Sequence, residues 1–174
     1  MLKNTTQAYG IIAKSLHWSM AILIVGMFVL AYTMMNLPDS AFKFSLYNLH
    51  KSTGLLLWAI FFIRLVWLFT NHQPGITAPV WQQRAAFWNK VSLYLLMFAM
   101  PTTGFFMSTL SGRSVTFFSL FTIEPFTKNP TLGSFFHSAH VYLSYFLIAA
   151  FVIHVLGALY HHFILKDDVL KRIR

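Results

Sequence analysis

Residues 138–163 read SAHVYLSYFLIAAFVIHVLGALYHHF, 26 positions without one Asp, Glu, Lys or Arg. About 20 apolar residues in a helix cross the ~30 Å hydrocarbon core of a bilayer, so this stretch predicts a membrane-spanning helix. Working outward, apolar runs at about 17–36, 50–69 and 88–110 are of similar length. The expectation is an all-α fold, a transmembrane four-helix bundle built as a single integral membrane domain over residues 1–174. Composition agrees: 57% of the 174 residues are apolar and 10% are charged, against roughly 25% charged in a typical soluble domain. The first run is too long for a cleavable signal peptide and has no small-x-small site before the next run.

The chain has no cysteine, which removes disulfides, iron–sulfur clusters and covalently attached c-type haem. Its net charge of +9 does not point to nucleic acid, because the basic residues sit in short segments beside the spans. With four alternating spans, Lys3, Lys14, Arg84, Lys90, Lys166, Lys171, Arg172 and Arg174 share one side. Lys43, Lys51, Arg113 and Lys128 share the other. Eight against four predicts that both termini are cytoplasmic.

Pro38 and Asp39 end the first run, and a partly aromatic connector is expected to continue to about Asn48. Two prolines and a glycine make Asn71 to Pro79 a loop. Pro101 and Gly104 interrupt the third span and predict a kink. The longest connector, Ser111 to Phe136, is external, and Phe117, Phe118, Phe121, Phe126 and Phe135 place it at the membrane interface. Lys-Asp-Asp and Lys-Arg-Ile-Arg after the fourth span read as a solvated cytoplasmic tail.

Ionisable residues within a membrane are costly and default to functional candidates. The four acidic residues, Asp39, Glu124, Asp167 and Asp168, all lie outside the spans. That excludes a carboxylate-bridged di-iron site and argues against a relay of buried carboxylates. Histidine and Arg64 remain. His17 sits at the cytoplasmic end of the first span, and His50 at the external end of the second. His140 and His154 are separated by about 21 Å of helix rise and only ~40° of rotation. Topology then pairs His50 with His140 at the outer level and His17 with His154 at the inner level. Two axial pairs stacked across a bundle are what two bis-histidine b-type haems require. Four positions after these histidines stand Ala21, Gly54, Ser144 and Ala158, small residues that leave room for a flat macrocycle. After the other four stand Ile76, Val141, Leu165 and Lys166. Small residues also favour ordinary helix packing.

The other polar groups have two readings each. Arg64 follows His50 by fourteen residues; it either binds the propionates of an inner haem or reaches lipid headgroups. Lys51 serves the outer haem or marks the membrane boundary. His161 and His162 anchor the helix at the cytoplasmic boundary, or exchange a proton with a quinone beside the inner haem. His137 is an interfacial residue and the main rival to His140 as a ligand; His72 is a loop residue. The five tryptophans mostly lie near span ends, as an aromatic belt does.

Several segments resemble the bacterial cytochrome b561 family, small diheme four-helix cytochromes of the inner membrane. They are Leu16-His17-Trp18, the run Asn-Leu-His-Lys-Ser-Thr-Gly at 48–54, and Arg64. In the third and fourth spans they are Ala-Met-Pro-Thr-Thr-Gly at 99–104, His140, His154 and His-His-Phe-Ile-Leu-Lys-Asp at 161–167. The resemblance implies haem ligands at His17, His50, His140 and His154, electron exchange with the ubiquinone pool, and superoxide as an external donor. The external loop is the segment least like the family. The function expected is single-electron transfer between a small anionic donor or a periplasmic redox protein and membrane quinone, an oxidoreductase activity. If superoxide is the donor, Lys51, Arg113 and Lys128 attract it. Two rivals differ in prediction: a haem-bearing anchor of a dehydrogenase or hydrogenase co-purifies with a large partner, and a histidine-based copper or zinc transporter or sensor is colourless.

Overall fold

The computed structural model describes residues 1–75 and 78–174. Among them, four helices are long and apolar enough to cross a membrane: α1 (Ile11–Asn36), α2 (Ala41–Thr70), α3 (Val80–Leu110) and α4 (Pro130–Tyr160). They form a transmembrane four-helix bundle, and most of the large apolar side chains face outward, as a lipid-facing surface requires. A short antiparallel hairpin, β1 (Val115–Phe117) and β2 (Phe121–Ile123), lies between α3 and α4.

The helices overrun the expected spans. Ser40 caps α2 by accepting a hydrogen bond from the Lys43 amide at 3.2 Å, so the aromatic stretch before Asn48 is helix, and the connector is only Leu37 to Ser40. Asn129 likewise accepts from Leu132 N at 3.1 Å, with Pro130 in the first turn, where a missing N–H costs nothing. The fourth helix therefore starts eight residues before position 138. At 31 residues α3 and α4 are each about 46 Å long, well beyond the hydrocarbon core. Each is long enough for its ends to reach the headgroup layer.

Helix α1 packs closely on α2, α3 on α4, and α2 on α3. Among the described residues, α4 makes no close backbone approach to α1 or α2. A gap thus runs along the bundle between α4 and the α1–α2 pair. Pro101 in α3 cannot donate to the Met97 carbonyl, and just beyond it Thr102 and Thr103 donate back to the Phe98 and Ala99 carbonyls at 2.7 and 2.9 Å.

Both chain termini lie at one end of the bundle and the hairpin at the other. The C-terminal tail is not free in solvent. Tyr9 N donates to the Arg172 carbonyl at 3.2 Å, Trp18 Nε1 to the Ile173 carbonyl at 2.9 Å, and Lys14 Nζ to the Arg174 carbonyl at 2.5 Å. Residues 1–10 complete this cap. Asn4 is buried, its Nδ2 donating to the His72 carbonyl at 2.8 Å and its Oδ1 accepting from Gly10 N at 3.0 Å. A Cβ on Gly10 would collide with the Leu2 and Lys3 carbonyl oxygens, so only glycine fits that crossing. Replacing Asn4 with alanine strands two backbone groups and is expected to cost about 1–3 kcal/mol. A lowered thermal unfolding midpoint in detergent is the check; an unchanged midpoint would show that the cap contributes nothing.

Candidate cofactor sites in the gap beside α4

The gap brings the four singled-out histidines together in the two expected pairs. His17 of α1 and His154 of α4 have ring centroids 6.1 Å apart, and His50 of α2 and His140 of α4 have centroids 6.3 Å apart. Two imidazoles sharing one metal ion from opposite sides, each nitrogen about 2 Å from it, have centroids about 6 Å apart. The separations therefore fit a shared axial position.

Each site shows how its histidines are held. At the hairpin end, His140 Nδ1–H donates to the Met100 carbonyl at 3.0 Å, with Thr103 Oγ1 3.2 Å away. That bond fixes the tautomer and leaves Nε2 as the electron-pair donor, the usual arrangement for a metal-binding histidine. Gly104 permits the approach, because a Cβ there would sit 3.0 Å from His140 Cε1. His50 Nδ1 is buried and has no partner among the described residues. Such a nitrogen costs about 1–3 kcal/mol unless something bound satisfies it. Space remains nearby: a Cβ on Gly54, one turn after His50, would meet only Met27 Cε at 3.9 Å. The residues present fit a haem at this level.

The inner pair differs. Arg64 of α2 reaches it, with Nη2 3.1 Å from His17 Nδ1, Nε 3.3 Å from Tyr94 Oη and Nη1 3.9 Å from Met20 Sδ. A guanidinium only donates, so His17 Nδ1 accepts and a neutral His17 carries its proton on Nε2. Asn89 of α3 donates to the Ala150 carbonyl at 3.0 Å, one turn before His154.

Lys51 and Ser52 have a task that the sequence does not reveal. Lys51 Nζ donates to the Ser114 carbonyl at 2.8 Å; Ser52 Oγ donates to the Thr116 carbonyl at 2.7 Å and accepts from Phe118 N at 3.2 Å. Together they clamp the hairpin onto α2 beside His50. The turn holds Phe118 and Ser119 at φ of 42° and 62°, a conformation that usually selects Asn or Gly, so the clamp supports a strained turn. Its tip exposes Phe118, Leu120 and Phe121. No signal in the sequence marks carbonyl partners of this kind.

His137 stands apart from the pairs, on a recess of about 420 Å³ that Arg113 and Lys128 also line. His72 lies at the terminal end, its carbonyl bonded by Asn4. At the end of α4, His161 and His162 diverge. His161 Nδ1 lies 2.5 Å from Asp167 Oδ2, whereas His162 Nδ1 has no partner among the described residues and the ring packs on Phe163 at 4.7 Å. Desolvation works to raise the Asp167 carboxyl, but the His161 contact, the Val169 amide and the charges of His161 and Arg172 outweigh it and hold Asp167 below the usual carboxylate range.

Comparison with known proteins agrees with this architecture. The family model described as prokaryotic cytochrome b561 matches residues 8–174. Cytochrome b561 homolog 2 of Escherichia coli K12 is 34% identical over 175 residues, covering 98% of this chain and 93% of the relative. Cytochrome b561 homolog 1 of the same organism is 34% identical over 130 residues, covering 71% of this chain and 72% of the relative. Four membrane-crossing helices and a match over nearly the whole chain lead to one conclusion: the protein belongs to the prokaryotic cytochrome b561 family, a multi-pass membrane protein of haem b electron transfer.

Proposed function

We propose that the chain holds two b-type haems, one between His50 and His140 and one between His17 and His154. It passes single electrons from a donor at the hairpin end to membrane quinone at the terminal end. The observation that carries this reading is the pairing of four histidines at two depths across one gap, at centroid separations of 6.1 and 6.3 Å. Haem, when bound, supplies reversible one-electron chemistry, and two axial histidines leave no open position for oxygen chemistry. A zinc site takes three or four protein ligands, whereas two histidines are what a haem iron needs from the protein.

The outer site is pre-set, since Met100 and Thr103 already orient His140. The inner site needs one rearrangement. A neutral His17 that gives Nε2 to a metal must protonate Nδ1, and then Arg64 has to leave Nδ1. Its guanidinium would then be available to the propionate carboxylates of a bound haem.

Eight basic residues beside the terminal end against four at the other support termini in the cytoplasm of a bacterium and a chain in its inner membrane. The hairpin end then faces the periplasm. Arg113 and Lys128 are exposed there and have no ion-pair partner among the described residues; around their recess they attract a small anionic donor such as superoxide. The test uses protein reconstituted into vesicles with and without ubiquinone, with superoxide generated outside. The expected result is quinol formation with ubiquinone present, and haem that stays reduced without it. Haem reduction with no quinol formed would contradict the reading. The exposed apolar hairpin tip favours a second reading, a haem-bearing anchor of a dehydrogenase or hydrogenase; stoichiometric co-purification of a large subunit would select it.

Gly104→Ala tests the outer site alone. The added methyl displaces the His140 ring by a few tenths of an ångström and is expected to alter the absorption and electron paramagnetic resonance of one haem, leaving the other unchanged. Two unaltered signals would contradict the placement of His140.

A further inference from the structure

We propose that Asp167 is a positioning residue for quinone chemistry, holding the His161 ring by Nδ1–H so that Nε2 exchanges the proton with quinone. This deepens the quinone reading given above and rests on it. A regular helix would put residue 167 about 9 Å along and ~240° around from residue 161, out of reach. The chain does something else. Helix α4 ends at Tyr160, His161–Leu165 form a π-helical turn, and Lys166 takes a left-handed conformation at φ 56°, ψ 32°, its amide bonded to the His161 carbonyl. Asp167 N bonds the same carbonyl at 3.2 Å. These two departures fold the chain back and bring the carboxylate to the ring at 2.5 Å.

Both departures are uncommon. A π-turn appears mostly at functional sites, and a left-handed lysine is strained and persists only where its surroundings hold it. Here the Lys166 and Asp167 amides both bond the His161 carbonyl, and the His161–Asp167 contact closes the turn. The carboxylate is fixed at both oxygens, because Oδ1 accepts from Val169 N at 3.0 Å. The two side chains are only 15% and 31% exposed, so their interaction is less screened than that of a surface pair. His161 follows His154 by seven residues, which is ~20° of rotation and about 10 Å of rise. It lies on the stripe of α4 that carries the inner histidine, at the membrane boundary where a quinone headgroup resides. His162 is on a different face and has no carboxylate.

The charges around the pair are few. The π-turn continues α4, whose nearest titratable groups are Tyr160 and His154. From the tail, Arg172 acts on Asp167 and donates to the Gly75 carbonyl, and Asp168 is paired with Lys171 at 2.8 Å. From α1, Lys14 is bound to the Arg174 carbonyl. Arg172 helps to keep Asp167 ionised, so a carboxylate anion faces the His161 ring.

Converting one quinone to its quinol takes two electrons and two protons. The electrons come singly from the protein's reduced haem, two ferrous-to-ferric oxidations per quinone. His161 Nε2 gives one proton to a quinone oxygen and regains it from cytoplasmic water; water at the headgroup layer supplies the other.

The test is Asp167→Asn and Asp167→Glu in full-length haem-loaded protein, with two readouts. The first is the rate of quinol formation in ubiquinone vesicles. The expected result for D167N is a rate about tenfold lower, with partial recovery in D167E. The second needs no quinone: the downfield Nδ1–H resonance of His161 in nitrogen-15-labelled protein, expected in the native chain and lost in D167N. Wild-type haem content in D167N establishes that the fold is intact. A native rate in D167N, or slowing with the resonance retained, would overturn the proposal. Native protein that reduces no quinone would overturn it from the other side, by removing the quinone reading; the resonance tells the two failures apart.

Discussion

Replacing His154 with leucine is expected to lower the haem content of the purified protein from two per chain to one. Leucine keeps the site apolar and of similar size but removes one of its two axial nitrogens, and His17 alone, facing Arg64 at 3.1 Å, cannot hold the ring. The other site is about 21 Å away along α4 and shares neither ligand, so its haem should stay. The consequences separate by direction. H154L should still accept an electron from the external donor, with quinol formation reduced to background. His140→Leu should also retain one haem, and that haem should no longer be reduced from outside. Pyridine haemochrome assays and donor-driven reduction in quinone vesicles measure both. Two haems retained in either variant would show that the ligand at that position is wrong, with His137 the first substitute to examine for His140.

The second large effect belongs to Arg64. Removing a cation held against the inner site favours the oxidised, more positive iron. Arg64→Leu is therefore expected to lower the potential of one haem by on the order of 60 mV, tenfold in a one-electron equilibrium, and Arg64→Lys to restore part of it. Redox titration resolves the two haems. If neither midpoint moves, Arg64 serves the headgroups and the propionate assignment fails. The contact with His17 Nδ1 adds a finer expectation. R64L should load the inner haem without having to displace a guanidinium, so in reconstitution from apoprotein its two sites should fill together, where the native chain fills the outer site first.

The part of this molecule that sequence discloses is the part governed by helical period. Fourteen residues between His140 and His154 determine their faces and depths, and alternation of spans supplies the partners; the structure pairs the same residues. The small residue at Gly54 marks space that the structure also shows, whereas Gly157, beside equally open space, falls outside the four-residue rule because it stands three after His154. What the sequence hides involves backbone partners and irregular turns. Nothing in the order of residues says that Lys51 and Ser52 grip the carbonyls of a hairpin more than sixty positions away. The Lys-Asp-Asp tail reads as solvated, because residue 167 meets residue 161 only through a π-turn and a left-handed lysine. For the same reason His161 and His162 look equivalent in sequence and are not. The aromatic stretch before Asn48 reads as a connector because hydropathy drops there, but a capped helix continues past the hydrocarbon boundary at no cost to its own hydrogen bonds.

The central claim is that the chain holds two bis-histidine haems. Its most direct test is the dithionite-reduced minus air-oxidised absorption spectrum of the detergent-purified protein, with haem quantified by pyridine haemochrome against protein mass. Two b-type haems per chain, both low-spin and six-coordinate, are the predicted result. A colourless protein, or one holding a single haem at full occupancy, would contradict it.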